Sequence, residues 1–224
     1  MTATELFQRH NESFVADTER RILIAIARRL PAFVTPDRLT AFGVFGALVV
    51  LVGYAASAID LNVLWVANAG LLMHWLGDSL DGTLARVRGI ERPRYGFFLD
   101  QSIDTVGNLL IAVGIGLSPW ARLDIALLVL AAYHMLSIYV FVRSIVSREF
   151  HVALRGVGPT EMRLGIFAMT LGIWLFGAPY HTVFDVDVTW CDLLMLLTFV
   201  GLLVLFVVEV ACEARHLAAT EKLD

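Results

Sequence analysis

The chain has 224 residues, 58% of them hydrophobic, and a formal net charge of −4, with a mean hydropathy of +0.73. That is too apolar for a water-soluble domain and about the right size for one membrane bundle. Its basic residues flank apolar runs instead of forming a groove-binding stripe, so no nucleic-acid partner is expected.

The first 16 residues are polar, and the short apolar run at 22–26 has no small-residue cleavage site after it, so no cleaved leader is expected. Residues 17–30, DTERRILIAIARRL, place Ile22, Leu23, Ile26 and Leu30 on one helical stripe between Arg20, Arg21, Arg28 and Arg29. This pattern predicts an amphipathic helix lying in the membrane interface. Pro31 ends it, and Thr35-Pro36 restarts the chain with an N-cap followed by proline at the first helical position. Residues 1–34 are therefore read as a cytoplasmic tail with an interfacial helix, and 35–224 as one six-helix domain.

Six segments are long enough to span, near 39–57, 61–85, 96–117, 123–147, 163–178 and 190–211, against a need for about 20 residues per crossing. The fold expected is an all-α integral membrane protein with six transmembrane helices. In that arrangement every arginine except Arg122, together with Lys222, falls on one side. Lys and Arg accumulate on cytoplasmic flanks, so both termini should be cytoplasmic. Cys191 and Cys212 lie about 31 Å apart along one helix and cannot bridge each other there. His74 and His134 are read as packing residues. Trp65, Trp120, Trp174 and Trp190 form an anchoring belt toward the other interface.

The segment DSLDGTLARVRGIERPRYGFFLDQSID, from Asp78 to Asp104, breaks the apolar pattern. An Asp at mid-membrane costs about 2.5 to 3.5 kcal/mol, so four facing lipid would cost roughly 10 to 14 kcal/mol. They must face one another, water or a metal. Asp78 and Asp81 are three apart, and Asp100 and Asp104 four apart, so each pair shares a helix face. Counted from Arg86 and Arg94, the pairs reach depths of about 8 to 12 Å and about 9 to 15 Å. The short connection predicts antiparallel neighbours, with all four carboxylates converging on a cavity open to the cytoplasm. Such a set suits hard divalent cations, and two ions can clamp the oxygens of a phosphoryl displacement. Gly82 and Ala85 leave room beside the same face, and Arg86 sits at the mouth, able to grip phosphate oxygens.

These residues resemble the CDP-alcohol phosphatidyltransferase family, whose signature is D-x2-D-G-x2-A-R-x8-G-x3-D-x3-D. Here it reads Asp78, Asp81, Gly82, Ala85, Arg86, Gly96, Asp100 and Asp104, with nine residues in place of eight between Arg86 and Gly96. Thr35-Pro36-Asp37-Arg38-Leu39-Thr40 is similar to the family's Pro-Asn-x-x-Thr element, with Asp37 in place of Asn. Gly158 to Arg163 resembles the start of the fifth span in bacterial members. The resemblance implies a multi-pass enzyme of the bacterial cytoplasmic membrane, its active site facing the cytoplasm. It would transfer a substituted phosphate from a CDP-alcohol to a hydroxyl, release CMP, use Mg2+ or Mn2+ and form a homodimer. Asp78, Asp81, Asp100 and Asp104 would then hold two cations, and Asp104 would also serve as base. The CDP moiety would rest on Asp78, Asp81, Gly82, Ala85, Arg86, Thr40 and Asp37. Arg143, Arg148, Arg155 and Arg163 form a candidate pocket for an anionic acceptor.

A CDP-diacylglycerol donor with a small polar alcohol as acceptor is the reading preferred. Relatives that use CDP-choline or CDP-ethanolamine with diacylglycerol often carry His after the third Asp, where this chain has Gln101. The reading from another class is an ion-coupled transporter, because intramembrane carboxylates also mark ion pathways.

Overall fold

A computed structural model describes residues 8–10, 16–147, 149–151, 158–183 and 185–220. Seven helices occupy most of them: α1 (Ala16–Ala27), α2 (Pro36–Ala56), α3 (Leu64–Arg88), α4 (Pro93–Leu117), α5 (Leu123–Ser147), α6 (Pro159–Phe176) and α7 (Trp190–Thr220). A short 3-10 helix (Leu61–Val63) and two three-residue strand pairings complete the described secondary structure. β1 (Gln8–His10) runs parallel to β2 (Glu149–His151), and β3 (His181–Val183) pairs antiparallel with β4 (Val186–Val188). The sequence reading contained neither, because three-residue strands are too short to show an alternating pattern.

Local chemistry sets the helix ends. Thr35 caps α2, its hydroxyl accepting from the Arg38 backbone N–H at 3.3 Å, and Pro36 follows at the first helical position. Gly89 ends α3 with φ at 65°, a left-handed conformation that glycine adopts without steric cost. The Glu161 carboxylate accepts from the Gly158 backbone N–H at 2.9 Å and opens α6.

The protein is a helical, multi-pass integral membrane protein. α2, α4, α5 and α7 are each long and apolar enough to cross a bilayer. α3 falls below that measure because it carries Asn68, His74, Asp78 and Asp81. α6 has only 18 residues and begins on polar ones, Thr160, Glu161 and Arg163.

The closest helix pair is α2 with α3, antiparallel and joined along a seam of glycines. A Cβ at Gly46 would lie 2.4 Å from the His74 backbone nitrogen, and one at Gly77 would lie 2.4 Å from that of Gly43. Gly53 faces Ala67 and Gly70 faces Val50 in the same way, so the seam runs nearly the full length of both helices. Small residues permit this approach, and van der Waals contact between backbones then holds the pair where lipid supplies no hydrophobic drive.

α4 packs against the other side of α2, where Gly114 meets the Leu51 backbone, and α5 and α7 follow in turn. The short connection between α3 and α4 therefore does not make them extensive neighbours. Each packs mainly on α2, and they approach one another over a small region. The largest apolar core joins α2, α3, α4, α5, α6 and α7 through residues such as Val50, Tyr54, Leu71, Ile111, Ile125, Ile173 and Met195.

α1 lies against α3. Leu23 and Ala27 are buried with Leu39, Leu80 and Leu84, while Ile22 faces outward. The Arg88 guanidinium donates to three carbonyls of the α1–α2 connection, Val34 at 2.5 Å and Leu30 and Pro31 at 2.9 Å. The Glu19 carboxylate accepts from the Trp75 indole at 2.9 Å, the Ser79 hydroxyl at 3.3 Å and the Thr160 hydroxyl at 3.2 Å. α1 is thus pinned to both α3 and α6.

The seam makes a direct prediction. Gly77→Val would press a side chain into backbone atoms, and overpacking of this kind costs typically 1 to 3 kcal/mol or more. Gly165→Ala is the control, since nothing lies within 4 Å of its added Cβ. It should be neutral or gain up to about 1 kcal/mol in helix propensity. Thermal unfolding in detergent, followed by circular dichroism, should show a clear loss for Gly77→Val and none for Gly165→Ala.

Candidate active site

Asp78 and Asp81 project from α3, and Asp100 and Asp104 from α4, as the spacing requires. All four line one pocket of about 10 Å³, together with Thr40, Gly43, His74 and Ile103. That volume suits a single water or ion.

One oxygen from each of Asp78, Asp100 and Asp104 lies within 4.8 Å of the other two. Oxygens gathered this closely could converge on one cation if the side chains turned inward. The donors are all oxygen, which fits a hard divalent cation and gives a soft one no sulfur.

Asp81 lines the same pocket but is held differently. Its Oδ2 accepts from the Thr40 hydroxyl at 2.6 Å and its Oδ1 from the Gly82 backbone N–H at 2.5 Å. Asp78 accepts from Arg163 at 2.6 Å, and Asp100 from the Gln101 amide at 2.9 Å.

The pocket opens into a cavity of about 730 Å³. Asp37, Thr40, Gly82, Ala85 and Arg86 all line it. The Arg86 guanidinium lies over Gly82, where an added Cβ would sit 3.4 Å from Nη1, and it donates to the Thr83 hydroxyl at 3.2 Å. A side chain at position 82 would thus meet the Arg86 guanidinium at ordinary contact distance. At the rim Arg92 pairs with Asp37 and stacks over the Tyr95 ring, 4.2 Å from its centroid. Deeper, Leu136 and Val140 of α5 and Leu202 and Leu205 of α7 give the cavity an apolar wall.

Among the four arginines proposed as an acceptor pocket, the described structure brings Arg163 to the carboxylates. Arg143 pairs with Glu213 at 3.2 Å, between α5 and α7. Arg148 and Arg155 lie outside the described residues. Two participants were missed in the sequence. His74, four residues before Asp78, is on the pocket side of α3, a spacing visible in the sequence. Glu19 sits on the cavity lining from α1, and no local pattern distinguishes it from the other charges there.

The family described as CDP-alcohol phosphatidyltransferase matches residues 33–207, which include every element of the site except Glu19 and its helix. The chain is similar to the archaetidylinositol phosphate synthase of Pyrococcus horikoshii, 32% identical over 108 residues, covering 46% of this chain and 52% of that one. It is also similar to the phosphatidylinositol phosphate synthase of Cutibacterium acnes, 34% identical over 88 residues, covering 39% of this chain and 40% of that one. The chain thus spans about half the length of these curated relatives, or less.

The Thr40–Asp81 contact can be tested separately from any chemistry. Thr40→Val deletes the hydroxyl donor to a buried carboxylate, and a hydrogen bond to a charged group is worth about 1.5 to 3 kcal/mol. Thr40→Ser keeps the donor and should lose less. Thermal unfolding of the two variants, measured without added cations, should rank them in that order.

Proposed function

The chain belongs to the CDP-alcohol phosphatidyltransferase family, and from that premise we propose a phospholipid-synthesis enzyme whose donor is CDP-diacylglycerol or a close relative. The acceptor is a small polar alcohol. The names of the two relatives favour a phosphorylated polyol of the inositol phosphate kind. The observation that carries the reading is the convergence of Asp78, Asp100 and Asp104 on one pocket at the base of a cavity lined by Gly82, Ala85 and Arg86.

In the reaction proposed, Arg86 and the Gly82–Ala85 face hold the cytidine diphosphate at the mouth. The Asp104 carboxylate takes the proton of the acceptor hydroxyl, whose oxygen attacks the β-phosphorus. A new P–O bond forms, the bond from that phosphorus to the bridging oxygen breaks, and CMP leaves with its electron pair. Bound Mg2+ or Mn2+, two ions held chiefly by Asp78, Asp81 and Asp100 with Asp104 at their edge, would supply neutralisation of the charge developing on the phosphoryl oxygens. Asp81, held by Thr40, stands outside the close group of the other three and would have to turn toward them to share a cation.

The topology proposed has six spans, with α3 and α6 crossing alongside the four apolar helices, and both termini and the cavity mouth facing the cytoplasm. Residues 1–34 form the tail and interfacial helix, 35–224 the catalytic domain, and the working unit is a homodimer. Reconstituted protein supplied with CDP-diacylglycerol and a panel of alcohols, inositol phosphate among them, should release CMP only with a divalent cation present. Absence of release with every donor, CDP-choline and CDP-ethanolamine included, would favour ion-coupled transport.

Two sets of variants divide the labour. Asp78→Asn, Asp81→Asn and Asp100→Asn should each weaken Mn2+ binding, with turnover partly rescued by excess Mn2+. Asp104→Asn should bind Mn2+ and donor nearly normally while CMP release falls by about 10² to 10⁴-fold, the usual contribution of a general base. If it loses the metal as badly as the others, Asp104 is a ligand and the proton goes elsewhere. Arg86→Lys should raise the donor KM despite its conserved charge, because an ammonium cannot make the bidentate phosphate contact. An unchanged KM would remove Arg86 from the donor site.

A further inference from the structure

Behind the aspartates lies a line of contacts that the reaction above does not use. The His74 ring is buried, and its Nδ1 stands 3.2 Å from the Gly43 carbonyl oxygen. A carbonyl can only accept, so Nδ1 carries the proton and Nε2 is left as an acceptor. Nε2 faces the Arg163 guanidinium in a long contact of 3.5 Å. The same guanidinium nitrogen donates to Asp78 Oδ2 at 2.6 Å. The ring has little freedom to turn, because α4 approaches it at Gly107, where a Cβ would come within 2.7 Å of Cε1. Arg163 is itself enclosed, with its side chain 11% exposed and that of Asp78 17% exposed. At its own end of α6, Glu161 closes the capping box and Thr160 bonds Glu19.

We propose that Arg163, held in line by His74, is the built-in counter-cation of the aspartate pocket, standing at Asp78 when no divalent cation is bound. The inference rests on the reading that these carboxylates hold a cation. Like charges this close repel strongly in a medium of low dielectric, and an empty cluster is eased by shared protons and by a positive partner beside it. The Arg163 guanidinium supplies one from α6, outside the helices that carry the carboxylates. Its charge then opposes an arriving Mn2+, and its hold on Asp78 must be given up or shared. Metal affinity is accordingly weaker than the carboxylates alone would provide, and the metal-free site keeps its shape.

A merely structural arginine would give a different result on mutation. Purified protein in detergent is titrated with Mn2+, free ion being read by its paramagnetic resonance signal, and unfolding temperature is measured in chelator and in saturating Mn2+. Arg163→Gln should lower the unfolding temperature in chelator, recover most of that loss in Mn2+, and tighten Mn2+ binding by about tenfold or more, since a nearby like charge has gone. Arg163→Lys keeps the charge and should stay close to wild type in both readouts. His74→Leu, which removes the acceptor that aligns Arg163, should move in the direction of Arg163→Gln by a smaller amount. If Arg163→Gln does not fold when prepared without metal, Mn2+ supplied throughout purification must restore it, and failure to do so overturns the proposal. Mn2+ affinity that is unchanged or weaker in folded Arg163→Gln overturns it as well, while leaving the metal reading intact. Wild-type protein that takes up no Mn2+ overturns both.

Discussion

The close approach of α2 to α3 is the constraint on which the rest of the molecule depends. Where a Cβ would fall 2.4 Å from a facing backbone nitrogen, the two helices have no room for side chains between them. Their relative height and rotation are therefore fixed by the backbones, to a tolerance smaller than a methyl group. That precision is transmitted to the site. Gly77 is the residue before Asp78, and Gly43 follows Thr40 by three positions on α2, so the seam brings Thr40 within 2.6 Å of Asp81. Side-chain packing alone leaves more slack, because rotamers can adjust to a shifted helix.

α2 is also the common support for the two halves of the carboxylate set. α3 and α4 each lean on it, from different sides, and their aspartates meet beyond its edge. His74 spans this junction, touching the Gly43 carbonyl of α2 and the Gly107 face of α4 while facing Arg163 of α6. A single imidazole thus senses the placement of three helices besides its own. The arrangement explains why a fully buried histidine is tolerated here: its ring nitrogens both face protein groups, as buried polar atoms require.

Most of the helices and the carboxylate convergence were legible in the chain because they follow from strong, local signals. Apolar runs of about 20 residues define spans, and the intervals Asp78 to Asp81 and Asp100 to Asp104 define faces. What stayed hidden depends on contacts between segments distant in sequence. The short α3–α4 connection implied neighbours, yet α2 takes that place because glycines at 43, 46, 53, 70 and 77 only reveal their function once the two helices are set side by side. The amphipathic stripe of α1 was visible, but Ile22 turns out and Ala27 in, since the helix buries its face on Leu80 and Leu84 of α3. Arg143 and Arg163 look alike in sequence. One is spent on Glu213 and the other on Asp78, a difference set by which helix each one faces.

The cavity wall changes character along its length, from Arg86, Glu91 and Arg92 at one end to Leu136, Val140, Leu202 and Leu205 between α5 and α7 at the other. The lipid donor proposed above, with a charged head and oily tails, would match both ends at once. For such a molecule, encounter with the protein is diffusion in a plane, and its supply is measured as a surface fraction of the surrounding lipid instead of a bulk molarity. The small polar acceptor proposed above would instead enter from water, past the polar rim. On that proposal, dilution of the membrane with inert lipid would slow the donor's arrival and leave the acceptor's untouched.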